Sequence, residues 1–134
     1  MSQKNVETFR EMLKAFDRRD REAWLSLHDP DHEVIPGGFW PETTAIQGRE
    51  AAWDFYVAIA QTLQARAFLD DIELESAGPD KVLAHQHGPV RGQASGAQVD
   101  LDLWVLGSFR AGKVVRDEWF ATRDEALEAA ALRE

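Results

Sequence analysis

Four side chains in the C-terminal half of this sequence have the types and spacing for proton transfer: His85, His87, Asp102 and Asp117. A carboxylate beside an imidazole orients it and raises its pKa, which makes a general acid or base near neutral pH. His87 with Asp102 is the best such pair, suited to removing an acidic proton α to a carbonyl. Asp117 is the second acid/base candidate, because a neighbouring Trp119 would desolvate its carboxylate and raise its pKa. Trp40, Trp104 and Trp119, together with His85, would wall a site for a flat, ring-containing ligand. Each has a plainer reading. His87–Asp102 could be an exposed cross-strand pair contributing a fraction of a kcal/mol. Asp117 could be a solvated rim residue, and the tryptophans could be core, which is the better assignment for Trp24 and Trp53 on helices.

His85-Gln86-His87 puts two imidazoles on one strand face, and Asp100 or Asp102 could add a carboxylate to them. No further His or Cys lies near enough in this stretch to complete a site, so neither a metal nor a cofactor is expected. The segment His28-Asp29-Pro30-Asp31-His32 reads more simply as a helix end and a turn. Phosphate-loop, dinucleotide and nucleophile-elbow motifs are absent from the sequence.

The elements that must position these residues lie between Lys81 and Thr122. Three strands are expected there, separated by turns at Gln93-Ala94-Ser95-Gly96 and Arg110-Ala111-Gly112-Lys113. A two-residue turn at Ala94-Ser95 sets His87 opposite Asp102 and His85 opposite Trp104. One at Ala111-Gly112 sets Trp104 opposite Trp119 and Leu106 opposite Asp117. Alternation then collects His85, His87, Asp100, Asp102, Trp104, Asp117 and Trp119 on one face. The other face takes Val99, Leu101, Leu103, Val105, Val114, Arg116, Glu118 and Phe120. The mixed face is expected to be a pocket wall, since ligand sites are apolar with a few placed polar groups. A slip of one residue would scramble it.

The rest of the chain supplies helices. Val6, Phe9, Met12, Leu13 and Phe16 form one stripe on a helix over about residues 3–18. Asp20 can cap a second, short helix with Ala23, Trp24 and Leu27 inward. A strand His32-Glu33-Val34-Ile35 and a loop holding Trp40 precede a helix from Arg49 to about Leu63. That helix is expected to bury Ala52, Phe55, Tyr56, Ile59 and Leu63. Another strand, with a bulge near Asp70-Asp71, leads to the meander, and Thr122 with Glu125 has capping-box spacing for a closing helix. Helices early and strands late make an α+β fold with an antiparallel sheet. At 134 residues with no cysteine, one domain without disulfides is expected. The polar N-terminus and the lack of a long apolar run point to a cytoplasmic protein without a membrane partner. A net charge of −9 disfavours nucleic acid and anionic membrane.

Pieces spread over the whole chain resemble the SnoaL-like branch of the nuclear transport factor 2-like superfamily. They are Arg19-Asp20 with Leu25-Ser26-Leu27-His28-Asp29-Pro30-Asp31, Ile46-Gln47-Gly48-Arg49-Glu50, and Arg91-Gly92-Gln93-Ala94-Ser95-Gly96. Phe109-Arg110-Ala111-Gly112-Lys113-Val114-Val115-Arg116 and the closing Phe120 to Ala130 complete them. The resemblance implies a cone-shaped α+β barrel (cystatin-like), with helices packed in a curved, mostly antiparallel sheet and a pocket at the open end. It implies a small hydrophobic ligand or substrate, and often a homodimer paired through the outer sheet face, which the aliphatic face would suit. The family includes polyketide cyclases, ketosteroid isomerases and non-catalytic binding proteins, so the fold does not settle the activity. The isomerase apparatus does not carry over, since Ile35, Met12 and Trp104 stand where it has its aspartate base, its tyrosine and its second aspartate. The cyclase pattern, a strand aspartate with a histidine nearby, could be met by His87, Asp102 and Asp117.

Overall fold

A computed structural model describes residues 2–38, 44–63, 72–91 and 98–132. Among them the order is α1 (Ser2–Asp17), α2 (Arg21–Ser26), β1 (His28–Ile35), β2 (Ile46–Gln47), α3 (Arg49–Leu63), β3 (Ile72–Gly78), β4 (Lys81–Arg91), β5 (Gln98–Arg110), β6 (Lys113–Phe120) and α4 (Arg123–Leu132). This is the expected α+β architecture. The strands form one sheet in the order β2-β1-β6-β5-β4-β3. All neighbours run antiparallel except β1 and β6, which are parallel. The first-hairpin turn, the bulge near Asp70-Asp71, and Trp40 fall outside the described residues.

The helices form where apolar periodicity demands. Val6, Phe9, Met12, Leu13 and Phe16 are all buried along α1. Asp20 caps α2 by accepting a hydrogen bond from the Ala23 amide at 3.2 Å. Among the described side chains of α3, which do not include that of Leu63, the buried ones are Ala52, Trp53 and Ala60. Phe55, Tyr56 and Ile59, expected inside, are only partly covered. These helices pack on an inner sheet face that includes Val34, Val82, Ala84, Leu103, Val105, Val114 and Trp119. Gly107 lies on the same face, where an added Cβ would sit 2.7 Å from the buried Phe9 ring. Only glycine lets α1 approach β5 this closely. No described helix is long and apolar enough to cross a membrane.

The first hairpin has the expected register, with His87 opposite Asp102 and His85 opposite Trp104. The second does not. Its turn is where the sequence places it, with Arg110 opposite Lys113 and positive φ at Ala111 and Gly112. The register then shifts between Ser108 and Phe109, so that Val115 has no partner across the ladder. This bulge flips the alternation of the rest of β6. Gly107 now faces Asp117, and Val105 faces Trp119.

The expected single wall therefore divides. Asp117 and Trp119 turn inward among the core, at 2% and 4% exposure. His85, His87, Asp102 and Trp104 stay on the opposite, outer face. The aliphatic residues Leu103, Val105 and Val114 pack inside with the helices, so they form core rather than a dimer face. On the outer face, α4 lies against β3, β5 and β6. Leu83, Leu106, Glu118, Ala126 and Ala130 are buried there.

Candidate functional site

The strongest concentration of chemistry-bearing groups is interior, at the junction of α2, α3, β1 and β6. Its strand members are His28 and His32 on β1 and Asp117 on β6, at 0%, 0% and 2% exposure. A straight strand would carry residues four apart about 13 Å from each other. Here the imidazole centroids are 4.6 Å apart and nearly perpendicular. An irregularity in β1 between His28 and Glu33 makes this possible. Asp29-Pro30-Asp31 forms a local turn in which the Asp31 amide donates to Asp29 Oδ1 at 2.8 Å. Arg110 clamps that turn from the β5–β6 hairpin, 3.1 Å from Asp29. The segment read as a helix end and turn is thus a kinked strand start that presents two histidines inward.

Both histidines are held by backbone carbonyls. His28 Nδ1 lies 2.7 Å from the Trp24 carbonyl, and His32 Nδ1 lies 3.2 Å from the Val114 carbonyl. A carbonyl only accepts, so each Nδ1 carries the hydrogen and each Nε2 is directed elsewhere. Trp24 stacks on His28 at 3.6 Å between ring centroids. The Arg49 guanidinium donates to the Leu25 and His28 carbonyls and so fixes the junction of α2 with β1.

Asp117 faces these imidazoles. Its Oδ2 is 3.3 Å from His32 Nε2 and accepts the Tyr56 hydroxyl at 3.0 Å. Trp119 Nε1 donates in turn to the Tyr56 oxygen at 3.3 Å. The indole, phenol and carboxylate form one chain leading from the aromatic packing of Phe55, Tyr56 and Trp119 into the buried cluster. Burial alone would raise the Asp117 pKa, but His32, His28 and the Tyr56 hydrogen bond outweigh it and hold the carboxyl below its usual value. Burial, then the charge of Asp117, push the Tyr56 phenol well above its usual value. Burial first, and His32 next, lower the His28 imidazole to about 3, so it stays neutral. The arrangement combines an ionised acceptor, a protonated phenol donor and a neutral imidazole in a low-dielectric interior.

The outer-face group is separate and more exposed. His85 stacks on Trp104 at 3.6 Å and 5°. Its Nε2 lies 2.6 Å from Asp102 Oδ1, so Asp102 contacts His85 rather than its cross-strand neighbour His87. Glu73 lies 3.5 Å from His85 and 3.9 Å from His87. The His87 and Asp102 side chains are 53% and 66% exposed. Of the residues singled out in the sequence, the fold brings His85, His87, Asp102 and Trp104 together outside and Asp117 with Trp119 inside. His28, His32 and Tyr56 are members that sequence reasoning missed. A His-x-x-x-His pair was visible, but its meeting with Asp117 depends on the parallel pairing of β1 with β6.

The fold is shared with solved structures of low sequence identity. A putative SnoaL-like polyketide cyclase from Jannaschia sp. CCS1 superposes with a TM-score of 0.73 at 19% identity, covering 100% of this chain and 95% of that one. TerC co-crystallised with polyporic acid gives 0.67 at 21%, covering 93% and 98%. RV0760c from Mycobacterium tuberculosis, in complex with estradiol-17beta-hemisuccinate, gives 0.66 at 17%, covering 90% and 95%. Comparison with curated proteins gives no match. The SnoaL-like domain model matches residues 9–117, and the chain belongs to that family.

Proposed function

We propose that the protein binds a small, hydrophobic, ring-containing molecule against Phe55, Tyr56, Val105 and Trp119, and performs acid/base chemistry on it at Asp117. The observation that carries this reading is the hydrogen-bond chain from Trp119 through Tyr56 to Asp117. It ends a partly covered apolar lining with a phenol and an ionised carboxylate. In this scheme Asp117, paired with His32, accepts a proton α to a carbonyl. Tyr56 then turns its hydroxyl from Asp117 to the developing enolate oxygen. The family fold supports a ligand-binding or cyclase-type role. The ligands of TerC and RV0760c, polyporic acid and an estradiol ester, are the class this lining would suit.

The test separates binding from turnover. Binding of those two compounds is read by tryptophan fluorescence, and turnover by deuterium incorporation α to the carbonyl of a cyclic ketone in D2O. Tyr56→Phe and Asp117→Asn are expected to bind within a few-fold of the parent while exchange falls by about 10²-fold or more. Exchange persisting in both variants would overturn the acid/base reading. The near-complete burial of Asp117 and His32 favours a second reading, a non-catalytic ligand-binding or accessory protein. Binding without exchange in the parent protein would select it.

Further parts of the proposal are a cytoplasmic location and a homodimer joined through the outer sheet face, where Trp104 is partly exposed beside His85. Sedimentation at micromolar concentration should show a dimer that Trp104→Glu dissociates; a monomeric parent would refute it.

A further inference from the structure

Three acceptor atoms converge inside the fold. One ring nitrogen each of His28 and His32 and an Asp117 carboxylate oxygen all lie within 4.8 Å of one another. All three residues are at least nine-tenths buried. His28 Nε2 and Asp117 Oδ1 have no hydrogen-bond partner, and His32 Nε2 faces Asp117 Oδ2 at 3.3 Å. Both imidazoles spend Nδ1 on a backbone carbonyl, which leaves Nε2 of each as the ligating nitrogen. Imidazoles that ligate metals are oriented in this way, with the far ring nitrogen donating to a carbonyl. The carboxylate has its own supporting contact, the Tyr56 hydroxyl on Oδ2.

From this convergence we infer that His28, His32 and Asp117 form a binding site for one divalent transition-metal ion of the zinc or iron(II) class. The donor set, two imidazoles and a carboxylate, suits those ions better than calcium or magnesium. Donors at about 2.0–2.2 Å around a tetrahedral ion stand roughly 3.4 Å apart. His32 Nε2 and Asp117 Oδ2 are already at 3.3 Å. The wider edges, bounded by 4.8 Å, must close by on the order of 1 Å. The turn at Asp29-Pro30-Asp31 is the device that creates the site, since without it the two imidazoles could not meet. The second histidine cluster, Glu73 with His85 and His87, lies exposed on the other face and lacks this enclosure. The metal inference does not rest on the acid/base reading. An ion would take the lone pairs that a transferable proton takes, so metal binding and metal-free exchange are measured separately.

The experiment is a titration of metal-stripped full-length protein with Co2+, read by its visible absorption, and with Zn2+, read by calorimetry. One equivalent is expected to bind with a Kd of micromolar or lower, with a four- or five-coordinate Co2+ spectrum and a rise in Tm. His32→Gln and Asp117→Asn should each weaken binding at least 100-fold. Circular dichroism and Tm confirm that the variants fold, and His28→Phe supplies a third ligand deletion should either fail. The double variant His85→Ala/His87→Ala should bind as the parent does. Binding lost in that double variant and retained in His32→Gln would overturn the assignment, as would no stoichiometric binding by the parent.

Discussion

Acidifying the metal-free protein from pH 6.5 towards 3 should remove several kcal/mol of folding stability, with His28 as a principal cause. Its imidazole titrates at about 3 in the fold, against an ordinary value of 6.5. Between those values the unfolded chain binds a proton that the native state refuses, so stability is full above pH 6.5 and is lost as pH falls towards about 3. The slope from one such group approaches about 1.4 kcal/mol per pH unit. Asp117, whose pKa is also lowered, adds a loss in the same direction at more acid pH. His28→Phe keeps a ring against Trp24 and removes the titration. Its urea-unfolding free energy, followed from pH 7 to 4 in the presence of a chelator, should fall distinctly less steeply than the parent's. Equal slopes would assign the acid sensitivity elsewhere.

Trp24→Ala should cost about 3–5 kcal/mol, the range for deleting a large buried ring. Trp24 is 1% exposed. It stacks on His28 and meets Trp53, Tyr56 and His32 edge-on, so one ring braces α2, α3 and β1. The cavity would also free His28 to rotate, uniting a loss of stability with a loss of the interior cluster's geometry. A urea-unfolding free energy within about 0.5 kcal/mol of the parent's, as surface substitutions give, would show that the site collapses around the deletion.

How much of this was legible in the sequence depended on whether local rules decided it. The α1 stripe, the Asp20 cap, and the His85–Trp104 and His87–Asp102 pairings follow from periodicity and turn length, and the structure has them. The burial of Asp117 was not legible. Nothing in Lys113-Val114-Val115-Arg116 marks Val115 as the residue that drops out of the ladder. The histidines of β1 were hidden for a related reason. Pro30 is a sound helix-ending signal, and the kinked strand that actually contains it is held by Arg110, about eighty positions away. Tyr56 was placed on a buried stripe, but only tertiary packing turns its hydroxyl towards Asp117.

The unpaired Val115 has a consequence for how such a barrel can change over time. Pleating assigns each residue of a strand to the interior or the exterior by odd or even count, and one supernumerary residue reverses the assignment for everything beyond it. Point substitution edits one position of that code. Gain or loss of a single codon here would exchange Asp117 and Trp119 for Arg116, Glu118 and Phe120 wholesale. The interior repertoire of this fold is thus one insertion or deletion away from its surface repertoire, a step that comparison of aligned residues alone would not reveal.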